Sequence, residues 1–331
     1  MKLSYKTSIK TMLKNFLLFA SCLSFGFSFA SENDSLALTN KDKKTSSIDF
    51  VESRYLNDSL DLFYVNNSQL FQEEWDHLAH PVFWKTLMTL SPDSCVINIG
   101  ATREIVQYMT LDEWDEKSDD AKVVYRDSIR SVRGLSDDSK VYMTTGKRDF
   151  YTFEGVLPTI SKGVEVFKQQ NVDPWYAQAI LMIESPGRLA KSNVGAFGSF
   201  QLMASVARSQ GLTVNRYVDE RKDFVKSAVA ASSLIENVCI PEAKVILDKK
   251  GISYKENDLW FRLFVMHVYH AGAYNVAGVV NKINPNKGGM TLIQKMWITE
   301  NGRFRNASQN YSQLALAAML IFEDMIWECS S

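Results

Sequence analysis

Hydrophobic residues fill nearly every position of one stretch near the middle of the chain, residues 175–183. A helix that lacks a polar face is a buried helix, so this pattern predicts a helix inside a core. Asp173 can cap the start of the helix, and Pro174 suits its first position. Pro186 disfavours the α conformation at Ser185, which predicts that the helix ends there.

The last turn of this predicted helix carries Glu184, the only acidic residue between Asp173 and Asp219. The carbonyl end of a helix is electronegative and an apolar environment disfavours charge, so both effects raise the pKa of the carboxyl. A carboxylic acid that stays protonated in a cleft can act as a general acid. The alternative is a half-exposed carboxylate at a helix end that has no chemical role.

Periodic patterns elsewhere predict a mainly α fold with a few short strands. Residues 72–90 are expected to form two short helices, because Pro81 interrupts the pattern. The other predicted helices span residues 102–109, 119–132, 158–170, 204–210, 219–237, 259–270 and 309–328, and the predicted strands span residues 95–99 and 140–145. Glu323 and Asp324 interrupt the last helix, which is therefore amphipathic and not a membrane span.

Composition divides the chain into four predicted segments. Residues 1–30 combine a basic start with an apolar run that ends in small residues, which is typical of a signal peptide and favours export to the periplasm or cell envelope. A membrane anchor and a lipidated Cys22 are the less favoured alternatives. Residues 31–48 are polar and predict a flexible tether. Residues 49–150 predict a smaller α+β or helical accessory region, and residues 151–329 a helical catalytic domain.

Charge and cysteine content narrow the class of protein. The predicted signal peptide holds four Lys and no acids, so its removal leaves 33 of the 37 basic residues against 38 acidic ones, a net charge of −5. A nucleic-acid partner would require a basic excess, so none is predicted. An odd set of three cysteines remains, Cys95, Cys239 and Cys329, and it makes no disulfide framework. One bridge with a free thiol and three buried thiols both stay open.

Two histidine pairs, His77 with His80 and His267 with His270, have i, i+3 spacing. Imidazole is a common metal ligand, but no cysteine or carboxylate cluster accompanies either pair at ligand spacing. We therefore predict no metal site and no cofactor, and we interpret His267 as a packing residue.

Three short motifs follow one another in the second half of the chain. Glu184-Ser185 is followed by Gly198-Ser-Phe-Gln-Leu-Met203 and then by Val268-Tyr-His-Ala-Gly272. Together with Arg221-Lys-Asp-Phe-Val-Lys-Ser227, this series resembles the lytic transglycosylases of the soluble and membrane-bound D type, which share a goose-lysozyme-like catalytic domain. The resemblance covers roughly residues 150–325 and rests on all the motifs in order, since each one alone is weak.

The resemblance implies that the substrate is peptidoglycan and that the bond cut joins N-acetylmuramic acid to N-acetylglucosamine by a β-1,4 link. Carried over by position, Glu184 is the sole catalytic acid and base, and Tyr269 is implied to hydrogen-bond its carboxyl. The matched positions that are implied to bind substrate or to orient the acid are Ser185, Ser192, Gln201, Met203, Tyr269 and His270.

The distribution of acids agrees with a reaction that needs one carboxyl. Ordinary glycosidases use two carboxylates, yet residues 185–218 and 259–290 contain no Asp or Glu. In the implied reaction Glu184 protonates the leaving oxygen and then removes the proton from the C6 hydroxyl, which closes onto C1 as a 1,6-anhydro sugar. Two alternatives stay open: a hydrolytic muramidase with Asp219 or Glu220 as second acid, and a non-catalytic peptidoglycan-binding protein.

The chain departs from the family pattern at two places. Pro186-Gly187 follows Ser185 where many members have a short non-proline turn, and His270 replaces the Asn of the third motif. Because a histidine titrates near neutral pH, His270 can add a pH dependence to the activity. The sequence predicts glycan strands as the partner and identifies no protein partner.

Overall fold

The computed structural model describes residues 50–54, 61–184, 192 and 195–330, without the side chains of residues 50–54, 61, 154 and 327–330. The predicted signal peptide, the tether, Cys22 and Ser185 lie outside the described residues. All the described residues belong to one compact unit, Ser47–Ser331.

The described part of the chain is mainly helical, which confirms the predicted fold class. Its strands are β1 (Phe50–Arg54), β2 (Asp61–Val65), β3 (Ser94–Ile99), β4 (Ile105–Thr110) and β5 (Val141–Thr145). Its helices are α1 (Gln69–Gln72), α2 (Ala79–Thr89), α3 (Leu111–Asp115), α4 (Asp119–Val132), α5 (Leu157–Gln169), α6 (Trp175–Glu184), α7 (Ala204–Ser209), α8 (Phe224–Leu234), α9 (Ile240–Asp248), α10 (Leu259–Ala271), α11 (Ala273–Ile283), α12 (Met290–Ile298) and α13 (Asn306–Ser330).

A three-stranded antiparallel sheet organises the first part of the chain, with strand order β4-β3-β5. One face of the sheet packs against α3 and α4 through a small core that includes Ile97, Trp114 and Ile129. Val96 on the opposite face packs against Phe83 and Leu87 of α2. The alternation along β3 therefore gives each face of the sheet its own apolar layer.

Helix α2 is shared between this sheet and the helical part of the chain, because it also packs along α13. Arg103, in the turn between β3 and β4, strengthens the junction. Its guanidinium donates a 3.3 Å hydrogen bond to Asn310 on α13 and lies over the ring of Phe83. The segment predicted as an accessory region is thus joined to the helical part by packing and by side-chain contacts.

The β1–β2 hairpin is joined even more closely to the helical part. Gln178, fully buried in α6, accepts a 2.9 Å hydrogen bond from the backbone N–H of Val65 and donates one of 3.1 Å to the carbonyl of the same residue. Leu62 and Tyr64 belong to the same core as α5 and α6. The predicted boundary at residue 150 therefore does not coincide with a break between compact units.

Helix α6 lies at the centre of the helical part, packed against α5 and α13. Residues 175–183 are all buried, as the absence of a polar face predicts. The predicted cap is present, since the Asp173 carboxylate accepts a 3.0 Å hydrogen bond from the backbone N–H of Trp175. Its other oxygen accepts a 2.8 Å bond from the Arg262 guanidinium, which ties the start of α6 to α10.

Most elements predicted from periodicity are present in the structure. Helix α4 has the predicted bounds, and β3, β5 and α5 differ from prediction by one residue at one or both ends. Gly211 ends α7 with a φ of +87°, a conformation that glycine adopts without strain.

Three predicted elements are wrong in type or extent. Residues 105–110 form strand β4 instead of a helix, because pairing with β3 outweighs the local pattern. Pro81 lies in the first turn of α2, where a backbone N–H would have no acceptor within the helix, so the proline does not interrupt it. The helix begins at Ala79, and the break in the pattern falls before that residue. The helix predicted at 219–237 begins after Asp223, whose carboxylate accepts the hydrogen bond of the Lys226 N–H.

The structure bears on the state of two cysteines and on the possibility of a membrane span. Cys95 and Cys239 are both free and buried, so they are not bridged to each other. Burial raises the pKa of the Cys239 thiol to about 12, which makes it inert. Among the described residues, no helix combines the length and hydropathy that crossing a bilayer requires.

We expect Gln178→Ala to lower the free energy of unfolding by about 2 kcal/mol, because it leaves the buried N–H and C=O of Val65 without partners. Chemical denaturation of the purified protein measures the change. Gln169→Ala, which removes an exposed amide from α5, is the matched control. Equal stability of the two variants would show that the hairpin is not held through Gln178.

Candidate active site

Glu184 ends α6 and is the one residue of that helix that is not fully buried. Although the residue keeps some exposed surface, the protein removes water from its carboxyl, and this burial raises the pKa to about 7. The carboxyl therefore titrates close to neutral pH, where both its protonated and its charged form are populated. An acid with this pKa can both donate and accept a proton under physiological conditions.

Three tyrosines from separate parts of the chain lie near enough to Glu184 for its charge to act on their pKa values. Tyr151 precedes α5, Tyr269 lies on α10 and Tyr311 lies on α13. Burial, and after it the charge of Glu184, raises the pKa of Tyr151 to about 12 and the pKa values of the other two well above their usual range. All three phenols therefore stay protonated and can act as neutral hydrogen-bond partners.

The Tyr311 hydroxyl is the donor that faces Glu184. Its approach to the carboxyl favours the charged form and partly offsets the effect of burial on the carboxyl pKa. The hydroxyl makes no hydrogen bond of good distance and angle with a described residue, so this contact is not a well-aligned one. A hydroxyl held near a carboxyl without a short bond can shorten the contact when the carboxyl becomes charged.

Tyr269 has a different partner from the one expected from the sequence. Its hydroxyl donates a 2.6 Å hydrogen bond to the carbonyl of Phe200, so its proton is not available to Glu184. The hydroxyl oxygen can still accept a hydrogen bond from the protonated carboxyl. Tyr269 thereby joins α10 to the loop that contains Phe200.

That loop, residues 195–202, is held by hydrogen bonds from the buried guanidinium of Arg221. Its Nη1 donates 2.9 Å hydrogen bonds to the carbonyls of Gly195 and Leu202, while Nε and Nη2 pair with the Asp219 carboxylate. Gly198 lies against this anchor with a φ of +83°, and a Cβ there would be 2.2 Å from the Arg221 carbonyl oxygen. The motif at 198–203 and the motif at 221–227 are therefore in direct contact, and Arg221 of the second motif holds the loop that contains the first.

The predicted substrate-binding residues of this region lie together on or beside the loop. The Ser192 hydroxyl accepts a 2.9 Å hydrogen bond from the Ala196 N–H. Gln201 has a φ of +45° and donates a 3.0 Å bond to the Gly198 carbonyl. Met203 caps the start of α7 and is 40% exposed, which leaves its thioether on the surface of the loop.

His270 is exposed and stacks on the ring of Tyr311, with centroids 4.3 Å apart and an interplanar angle of 23°. Desolvation by its neighbours lowers the pKa of His270, although the residue keeps contact with water. The imidazole is therefore neutral near pH 7, because its pKa lies below the ordinary value for histidine. His267, one turn earlier, is fully buried and contacts the Ser312 hydroxyl at 2.8 Å, so it packs as predicted.

The two carboxylates that a hydrolase could use are both engaged elsewhere. Asp219 pairs with Arg221, and Glu220 pairs with Lys226 and accepts from the Thr213 N–H. These hydrogen bonds lower the pKa of each carboxyl. Within the described part of the chain, burial and Tyr311 are what set the pKa of Glu184, and no other carboxyl contributes. The described residues also contain no cluster of His, Cys, Asp or Glu that could hold a metal.

Sequence reasoning missed Tyr151 and Tyr311. Tyr311 did carry a signal, because it lies in a run of residues with polar groups, 308–313, that is buried in an otherwise apolar helix. Buried polar residues point to a polar site on that helix face. Tyr151 carried no such signal, since it sits in an irregular connection whose position is set by tertiary contacts.

The described site thus combines one desolvated acid at the end of a buried helix with neutral phenols near it, within a helical lobe. Residues 165–282 match the family model of the transglycosylase SLT domain. This part of the chain is therefore a lysozyme-like lytic transglycosylase domain, a type that acts on peptidoglycan. The match includes Glu184, Gln201 and Tyr269, whereas Tyr151 and Tyr311 lie outside it. No curated protein matches the chain.

We expect Tyr311→Phe to raise the pKa of Glu184 further and to lower kcat roughly tenfold, because the carboxylate loses its facing donor. NMR titration of the carboxyl gives the pKa, and initial rates on peptidoglycan give kcat. The exposed Tyr217→Phe is the control. A pKa that stays the same or falls would contradict a donor role for Tyr311.

The raised pKa of Glu184 also predicts how stability depends on pH. Between its ordinary pKa and about 7, the folded protein holds a proton that the unfolded chain has lost, so stability falls as pH rises through this window. Glu184→Gln removes the dependence. We expect the variant to be more stable than the wild type by roughly 3 kcal/mol above pH 7 and about equally stable below the ordinary pKa.

Urea unfolding across this pH range measures the difference between the two proteins. The exposed Glu236→Gln, on the turn after α8, is the control and should unfold like the wild type at each pH. A constant difference between Glu184→Gln and wild type at all pH values would show that the carboxyl is not desolvated.

Proposed function

We propose that the protein cleaves the MurNAc-β-1,4-GlcNAc bond of peptidoglycan without water and that Glu184 serves as the acid and then as the base. The observation that carries the proposal is a lone carboxyl with a pKa of about 7 at the end of a buried helix, with no second carboxyl contributing among the described residues. The family match supports peptidoglycan as the substrate.

In the first step the protonated Glu184 donates its proton to the glycosidic oxygen, and the bond from that oxygen to C1 breaks. The electron pair leaves with the oxygen, and positive charge develops at C1. The N-acetyl oxygen of the same sugar can stabilise this charge, so the protein needs no second carboxylate for that purpose. The half-protonated state near pH 7 supplies the acid for this step.

In the second step the Glu184 carboxylate removes the proton from the C6 hydroxyl of the muramic acid ring. The C6 oxygen then bonds to C1 and closes a 1,6-anhydro ring, which returns Glu184 to its starting state. The Tyr311 donor favours the carboxylate formed between the two steps. No water is consumed, so the product is lighter than a hydrolysed chain by one water molecule.

The loop at 195–202 supports substrate placement in this scheme. Arg221 fixes its backbone, and the bond from Tyr269 to the Phe200 carbonyl ties it to α10. Ser192, Gln201, Met203 and the neutral His270 are proposed to supply polar and apolar contacts to the glycan. Ser185 is proposed to orient the acid or the sugar on the motif resemblance alone.

We also propose that the chain is exported to the periplasm or cell envelope and loses residues 1–30. The basic start and short apolar run of that segment support export, and peptidoglycan lies outside the cytoplasmic membrane. Lipidation at Cys22 is the less favoured form, because the apolar run continues beyond it to Phe29.

Digestion of purified peptidoglycan in ¹⁸O-labelled water tests the reaction. We expect muropeptides that end in 1,6-anhydro-N-acetylmuramic acid and carry no label, because no water enters the product. Glu184→Gln should remove activity, with a loss of at least about a hundredfold, since the sole proton donor is gone. Glu236→Gln is the exposed control and should retain full activity.

Each other outcome has a definite meaning. Labelled reducing ends would identify a hydrolytic muramidase, and the search for a second acid would begin at Asp219 and Glu220. Binding of peptidoglycan without any product would identify a non-catalytic wall-binding protein. Full activity of Glu184→Gln would reject the role of this carboxyl in either reaction.

A further inference from the structure

A cavity of about 390 Å³ opens where the segment before residue 151 meets α13. Its walls come from α2, from the stretch after β5 and from Leu314 on α13. The family match covers residues 165–282, so all of these lining residues lie outside it. The chemistry of the lining side chains indicates what the cavity can bind.

Aromatic rings form the main apolar surface of the cavity. Phe150 packs edge-on against Tyr151, with centroids 4.8 Å apart, and Tyr151 stacks on Phe153 at 5.9 Å. Trp84 is held in place because its indole N–H donates a 3.0 Å hydrogen bond to Gln313. Fixed aromatic faces of this kind lose little conformational entropy when a flat apolar face packs on them.

One charge of each sign lines the same cavity. Lys147 and Asp149 both border it, and neither side chain makes an ion pair or a hydrogen bond with any described residue. A strongly anionic ligand would meet Asp149, and a cationic ligand would meet Lys147. A neutral ligand with both donors and acceptors uses the two groups together, and an N-acetylated sugar ring has this character as well as an apolar C–H face.

Two residues, Tyr151 and Leu314, relate the cavity to the candidate active site. Leu314 lies one helical turn after Tyr311, the residue whose hydroxyl faces Glu184. Tyr151 belongs to both places, since it lines the cavity and is close enough to Glu184 for the charge to raise its pKa. A ligand in the cavity is therefore positioned to be part of the same polymer as a glycan bound beside Glu184.

We propose that this cavity is an additional sugar site that binds an N-acetylated ring of the same glycan strand, at a distance from the bond that is cut. The proposal deepens the proposed function and rests on it, because it assigns part of the glycan site to the region before the matched domain. It gives residues 79–151 a role in binding long glycan strands.

Calorimetric binding of β-1,4-linked N-acetylglucosamine oligomers of increasing length to Glu184→Gln protein tests the proposal, since no turnover interferes. We expect the additional change Phe150→Ala to weaken binding of long oligomers by roughly three- to tenfold and to leave the shortest ones unaffected. Lys147→Ala should act in the same direction. Tyr108→Ala on β4 is the matched control, because Phe150 and Tyr108 are each 59% exposed.

Two results would overturn the sugar site. The first is equal binding of long oligomers by the Phe150→Ala, Lys147→Ala and Tyr108→Ala proteins. The second is a loss confined to glycan strands that carry stem peptides, with peptide-free strands bound normally, which would assign the cavity to the peptide. Binding is measured without catalysis, so this test does not depend on the proposed reaction. A wild type that proves hydrolytic or inactive would refute the reaction, and the binding result at the cavity would still stand.

Discussion

The desolvation of one carboxyl is the constraint on which the rest of this structure depends. Glu184 has a pKa of about 7 because α6 carries no polar face and must be enclosed on all sides. Only the last residue of such a helix can reach solvent. The acid is thus placed by the hydrophobic pattern of the residues before it, and its chemistry follows from where the enclosed helix stops.

Enclosing α6 requires more of the chain than the matched domain. Gln178 is the polar exception inside the helix, and it is satisfied by the backbone of Val65 on β2. Residues before 150 therefore complete the core around the acid, and α2 and Arg103 attach the small sheet to α13. An apparent accessory region and a catalytic domain share one set of buried contacts, which explains why Tyr151 can reach the site.

Local pattern was enough to predict α6, its cap at Asp173, the unusual acid at its end and the strand at 95–99. It failed at residues 105–110, where pairing with β3 decides the conformation, and at Tyr311, which reaches Glu184 only through the packing of α13 on α6. The partner of Tyr269 was also not predictable, since the Phe200 carbonyl lies 69 positions away in sequence. In each of these cases, the feature that was not predicted depends on a contact between residues far apart in the sequence.

The choice of neighbours around the acid has a physical reason. A lysine or arginine beside Glu184 would favour the charged carboxylate and lower its pKa, so the acid needed for the first step would be lost near pH 7. The described groups near it are phenols that stay neutral, and His270, which stacks on Tyr311, has its pKa lowered towards the neutral form. The buried guanidinium of Arg221 pairs with Asp219 and donates to loop carbonyls. Among the described residues, the groups that act on the Glu184 pKa supply hydrogen bonding without positive charge, which is the condition that the proposed use of one carboxyl as acid and then as base requires.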